Sequence, residues 1–300
     1  MRKWLKILAS VLVLVLILVY VAVYMVVPIA ITQPPRVRSN MTPERLNLES
    51  DSLQWMSHDS IVLSGYWVKA NAESSKGVMI LIHGIGGCKE HFLPLSHKLA
   101  SKGIESVLFD GRAHGKSEGD YVTYGYKEKQ DISIIVDSIL ARQPESAIGI
   151  WGNSLGGAIA IQALELDHRI DFGIIESTFT ELDDIVYDYK HRLTAGLGMR
   201  FISDYALKRA GVLAGFDPDD IKPIESVKNI NVPMFIGHGD ADESISVQYG
   251  KDLYYNLKTA DKELYIVPEA GHFNLMKIGG QDYEKSVFGF IERNFSDQER

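Results

Sequence analysis

The chain has 300 residues, 46% of them hydrophobic and 23% charged, with 31 basic and 39 acidic side chains and a formal net charge of −8. That is ordinary globular composition, which excludes a disordered, collagenous or disulfide-stapled chain. Without residues 1–35 the balance becomes 28 bases against 39 acids, a net charge of −11, and a chain with no positive footprint for phosphate is not expected to bind nucleic acid.

The acidity is unevenly spread. Arg2, Lys3 and Lys6 open a basic N-terminus (residues 1–6), and residues 7–31 then carry no charge, with only Ser10 and Pro28 not apolar. About 20 apolar residues in a helix span the ~30 Å hydrocarbon core of a bilayer, so this run predicts a transmembrane signal anchor. A cleaved signal peptide has a shorter apolar core, about 7–15 residues, and a small-x-small cleavage site. Val27-Pro28-Ile29-Ala30-Ile31 offers no such site. The leading bases favour a cytoplasmic N-terminus and an extracytoplasmic domain, although Arg36, Arg38 and Arg45 just past the run blunt that asymmetry. The single Cys88 cannot form an internal disulfide and is silent on compartment.

Residues 32–50, beginning Thr32-Gln33-Pro34-Pro35, read as a tether, because paired prolines stop a helix and favour extended chain. Over 51–300, apolar strand-like runs at 61–68, 78–82, 105–109, 147–151, 172–175, 232–236 and 263–267 alternate with helical patterns at 89–101, 127–141, 155–166, 246–257 and 283–294. This alternation predicts an α/β domain with a mostly parallel sheet covered on both faces. It breaks once, at about 177–230, where helical patterns at 183–193 and 199–210 suggest a cap insertion.

The chemistry concentrates at Gly152-Asn153-Ser154-Leu155-Gly156, between an apolar strand and a helix. Gly-x-Ser-x-Gly in that context is a nucleophile elbow: the turn is so tight that its flanking positions must be small, and it projects the Ser154 hydroxyl above the sheet. A serine needs a base, and the base an orienting acid, in chain order Ser, acid, His. His272, in a loop after the last strand, is the expected base. Asp240, Asp242 and Glu176 all follow strands and remain alternatives for the acid. An oxyanion needs two backbone donors: Leu155 N–H is one, and Ile85 in His83-Gly84-Ile85-Gly86-Gly87 is the other. His83, His114 and His238 sit beside glycines and are expected to shape loops. A metal on His83, Cys88 and His91 is a poor rival, since zinc sites use spaced ligand pairs and no second pair is present.

Five motifs in order, His83–Gly87, Asp110–Gly119, Gly152–Gly156, His238–Asp242 and Gly271-His272, resemble the α/β-hydrolase superfamily over about residues 50–295, in the branch of serine aminopeptidase-like and monoacylglycerol lipase-like proteins. The resemblance implies that Asp242 is the triad acid and Asp240 a loop residue. It also implies that Asp110, Arg112, Gly115 and Ser117 build a structural turn, in which Ala113 stands where a glycine is usual. The implied activity is ester hydrolysis of a small-molecule or lipid-like acyl substrate by Ser154, Asp242 and His272, with no cofactor and no metal. A peptidase gripping a substrate amine through Glu181, Asp183 or Asp184, an acyl-thioesterase, and a non-catalytic membrane-tethered binding protein are the alternatives.

Overall fold

The computed structural model describes residues 2–193, 196 and 199–296. Met1 of the basic N-terminus, positions 194, 195, 197 and 198 of the expected cap, and the last four residues of the expected domain lie outside the described residues.

The apolar N-terminus is one helical run: α1 (Arg2–Val21), a π-helical turn (Ala22–Val26) and α2 (Val27–Thr32). Its length and composition suffice to cross a membrane, with a mean hydropathy of 3.0 in its most apolar window. Its two ends differ. Side chains of α1 are exposed throughout, whereas Pro28 and Thr32 are buried against the domain.

The domain follows as β1 (Ser50–Met56), β2 (Val62–Val68), β3 (Val78–Ile82), α3 (Leu93–Ser101), β4 (Glu105–Phe109), α4 (Glu128–Arg142), β5 (Ile148–Asn153), α5 (Leu155–Leu166) and β6 (Phe172–Glu176). The helices α6 (Leu182–Leu193), α7 (Arg200–Ala214) and the short α8 (Pro223–Ser226) then interrupt the alternation, before β7 (Met234–Gly239), α9 (Val247–Asn256), β8 (Lys262–Val267) and α10 (Leu275–Ser296). The strands form one sheet in the order β1-β2-β4-β3-β5-β6-β7-β8. The β1–β2 and β2–β4 pairs are antiparallel and the rest parallel.

The central strands β3, β4 and β7 are buried at every position, as expected for a sheet sandwiched between helices. One core joins the sheet to α4, α5 and α9, through residues such as Ile135, Ile161 and Leu253; the other joins it to α3 and α10, through Leu99, Val287 and Phe290. Strand β1 was not among the expected strands. It is an edge strand with one buried residue, Trp55, so it lacks the apolar run that marks the others. Helix α10 begins eight residues before the pattern at 283–294, bent at Gly280, whose φ of 55° is non-helical. Parallel strands aligned in this way carry the ends of β3, β5, β7 and β8, and the loops that follow them, to one edge of the sheet.

Candidate active site

Ser154 sits between the end of β5 and the start of α5 with φ 53° and ψ −122°, a conformation that L-residues rarely adopt. The strain is held by close packing. A Cβ on Gly152 would lie 2.1 Å from Gly156 O, and one on Gly156 would lie 2.1 Å from Ile82 O. The two glycines of the motif are therefore steric requirements: one lets the elbow close on itself, the other lets α5 meet the end of β3. Ser154 N–H donates to Glu176 O at 2.9 Å, and Thr178 Oγ1 donates to Ser154 O at 2.7 Å, which fixes the turn against β6.

The loops after β7 and β8 bring Asp242 and His272 to this serine. Ser154 Oγ lies 2.9 Å from His272 Nε2, and His272 Nδ1 lies 2.7 Å from Asp242 Oδ2. With Nδ1–H donating to the carboxylate, Nε2 is left to accept the serine proton. The Asp242 side chain is fully buried, and its other oxygen accepts from Ser244 N–H at 2.8 Å and Ile245 N–H at 2.9 Å. Burial by itself would raise the pKa of Asp242. The nearby His238 ring, with Nε2 3.5 Å away, together with His272 and the Ile245 N–H, outweighs burial and holds the carboxyl below the usual carboxylate range.

The other two acids are used elsewhere. Asp240 Oδ1 accepts from Glu269 N–H at 2.6 Å, and Glu176 accepts from the Tyr283 hydroxyl.

The loop His83–Gly87 lies against the elbow: a Cβ on Gly84 would lie 3.2 Å from Ser154 Cβ. Among the described residues, the N–H groups of Ile85 and Leu155 have no protein acceptor, and Leu155 opens α5, where the helix leaves its first donors free. Sequence reasoning assigned His83 and His114 only to loop shaping; their mutual role is more specific. His83 Nδ1–H donates to Gly84 O at 2.8 Å and its Nε2 accepts from Gly111 N–H at 3.1 Å. His114 Nδ1–H donates to Arg112 O at 2.7 Å and its Nε2 accepts from Gly86 N–H at 3.0 Å. Each ring thus accepts a backbone proton from the loop of the other. Burial pushes His83 down to about 4, with His114 beside it adding to the shift, and burial also lowers His114. Both are thereby kept neutral and able to accept.

The Asp110–Gly119 turn touches neither Ser154, His272 nor Asp242 through its hydrogen bonds. Asp110 is buried with Lys89, whose Nζ lies 2.5 Å from it, and Arg112 binds Asp131 through two nitrogens at 2.6 and 2.7 Å. Ala113 takes the left-handed conformation (φ 62°) that a glycine would adopt without strain. Residues 36 and 38 close over this turn. Arg36 donates to the carbonyls of Ser117 and Gly119, and Arg38 Nε to Gly115 O at 3.3 Å. Neither arginine had been singled out for this role, because nothing in their local sequence points to a turn nearly 80 residues away.

Two other clusters are already engaged. Both ring nitrogens of His83 are committed to backbone groups, and burial, with Glu90 adding to it, pushes the Cys88 thiol up to about 11, so neither is disposed to bind a metal. At the start of α6, Asp183 and Asp184 both accept from Arg200, at 2.8 and 2.7 Å, and Glu181 faces Lys222 at 3.9 Å. Beside His272 a cavity of about 250 Å³ opens towards α3 and α10, lined mainly by apolar groups including Phe92, Leu95, Phe273 and Met276.

Residues 73–211 match the serine aminopeptidase family S33. The uncharacterised protein YqkD of Bacillus subtilis is 26% identical over 239 residues, covering 77% of this chain and 75% of that one. Lysophosphatidylserine lipase ABHD12 of Macaca fascicularis is 28% identical over 198 residues, covering 63% of this chain and 47% of the lipase, so the match spans about half of that relative's length. The solved structure of the Pyrococcus furiosus esterase Pf2001 superposes with a TM-score of 0.73 at 27% identity, covering 88% of this chain and 98% of the esterase.

Proposed function

The chain is an α/β-hydrolase, and from that premise we propose that it is a membrane-anchored serine hydrolase that cleaves a carboxylic ester through an acyl-enzyme intermediate. The observation that carries this reading is the continuous hydrogen-bonded line from Ser154 Oγ through His272 to Asp242, at 2.9 and 2.7 Å. His272 Nε2 takes the hydroxyl proton as Oγ attacks the carbonyl carbon. Asp242 holds the ring in the required tautomer and stabilises the imidazolium. The N–H groups of Leu155 and Ile85 receive the oxyanion, an interaction of which each donor is worth about 10²–10³ in rate. His272 then returns the proton to the leaving alcohol, and a water activated by the same ring releases the acid.

Ester rather than peptide is supported by two features. The cavity beside His272 is mainly apolar, suited to a hydrocarbon portion of the substrate. An aminopeptidase needs an open carboxylate for the substrate amine; Asp183 and Asp184 are occupied by Arg200, and Glu181 has Lys222 facing it at 3.9 Å. The apolar run then serves as the anchor, with a cytoplasmic N-terminus and the domain outside, residues 32–50 joining them and α6–α8 forming a cap. Labelling of the full chain in membranes with a fluorophosphonate probe, in competition with ester, thioester and peptide panels, tests the substrate class. Protection by esters alone is expected; protection by peptides alone would overturn it.

A further inference from the structure

We infer that the exposed face of cap helix α7 is a membrane-docking surface, lying on the same bilayer that holds α1. The inference rests on the anchor reading above and goes beyond it by assigning the cap a lipid partner.

The level of the bilayer surface follows from the N-terminal run. The uncharged stretch from Ile7 to Tyr24 is 18 residues long and rises about 27 Å, close to the ~30 Å thickness of the hydrocarbon core. The run then changes surroundings. Tyr20 and Tyr24 stack at 5.5 Å and 12° where α1 ends, and aromatic residues of this kind favour the membrane–water boundary. From there one face of the helix is held by protein, while Met25, Val26 and Ile29 on the other stay exposed: the Tyr24 ring lies 6.5 Å from that of Tyr205, the Arg209 guanidinium sits 4.7 Å from the Tyr24 centroid, and Pro28 and Thr32 are buried. Tyr205 belongs to α7, so α7 lies at the depth where the anchor leaves the lipid.

The sequence of α7 fits that position. After Arg200, its exposed residues are Phe201, Tyr205, Lys208 and Val212, spaced four, three and four apart and therefore on one face. Ser203, Ala206, Leu207, Ala210 and Ala214 turn the opposite face into the domain. Phe201 is 65% exposed and Val212 72%, large apolar groups that a purely aqueous face would not favour. Apolar side chains with a lysine among them are what an interfacial helix offers to acyl chains and anionic headgroups.

The test uses the full chain in phosphatidylcholine–phosphatidylglycerol vesicles. Cys88 is buried, so bimane on Val212→Cys reports position 212 alone. Glu145→Cys, in the loop before β5 at the opposite edge of the sheet, is the control, and Phe201→Cys repeats the measurement about three turns away. With nitroxide-labelled lipid in the vesicles, quenching at 212 and 201 at least twofold greater than at 145 is expected. Equal, weak quenching at all three sites in a chain that co-floats with the vesicles overturns the docking surface and leaves the anchor standing. A chain that does not co-float overturns both. None of these outcomes depends on Ser154.

Discussion

The rings of His83 and His114 meet edge to face with centroids 4.8 Å apart, and each accepts the backbone N–H of a glycine in the other's loop. This reciprocal pair ties the loop that carries Ile85 to the Asp110–Gly119 turn, and it works only while both imidazoles are neutral.

Stability should therefore depend on pH below neutrality. His83 is held down to about 4 in the folded protein, chiefly by burial, while an unfolded histidine titrates near 6.5. As pH falls from about 6.5 towards 4, the unfolded chain takes up a proton that the folded chain refuses. The contribution is thus complete above about 6.5 and lost towards 4, amounting to roughly 3 kcal/mol. Denaturant midpoints of the detergent-solubilised chain across this window should fall, and should fall less in His83→Asn, which keeps a donor and an acceptor but does not titrate. An identical pH slope in the two proteins would contradict the pairing.

The acids separate by their partners. Asp242→Asn should lower kcat by about 10⁴-fold, because an amide no longer enforces the His272 tautomer. Asp240→Asn and Glu176→Gln keep an acceptor for Glu269 N–H and the Tyr283 hydroxyl, and should stay within about threefold of wild type, the range of minor effects at sites off the reaction path. Steady-state kinetics on a short p-nitrophenyl ester reads all three, and inactivation by Asp240→Asn in a folded protein would reassign the acid.

Glycines divide by what surrounds them. Gly156→Ala would drive a methyl onto Ile82 O, with no side chain able to move aside, and should cost more than about 3 kcal/mol or prevent folding. Gly289 is exposed within α10 and a Cβ there meets nothing within 4 Å. Gly289→Ala should raise stability by about 0.8–1 kcal/mol through helix propensity alone. Thermal melts of both variants check the contrast.

How much of this was legible in the sequence depended on how local the cause is. The elbow is local: five residues force the turn, and the strand before them and the helix after them are equally plain. The acid was not local in this sense: Asp240 and Asp242 share a loop, spacing left both open, and only the family resemblance pointed to Asp242, the one of the two that lies 2.7 Å from His272 Nδ1. The pairing of His83 with His114 joins loops about 30 residues apart, so the glycines beside them announced a turn without revealing its partner. The apolar N-terminal run hid a different ambiguity. A side chain such as Pro28 is equally apolar whether lipid or α7 surrounds it, and hydropathy cannot tell the two apart.

The segment 32–50 supplies its own test. Arg36, itself exposed, donates into the carbonyls of Ser117 and Gly119, charge-assisted bonds that solvent reduces to about 1 kcal/mol each. Arg36→Ala should lower the melting temperature by several degrees while the protein still floats with membranes. An unchanged melt would mean that Arg36 does not hold residues 32–50 to the folded domain.

The central claim is that Ser154 is the nucleophile. Ser154→Ala, compared with wild type in the same membranes, should lose fluorophosphonate labelling and lower p-nitrophenyl ester hydrolysis by at least about 10³-fold, with an unchanged melt. Labelling and turnover retained at wild-type levels would contradict the account.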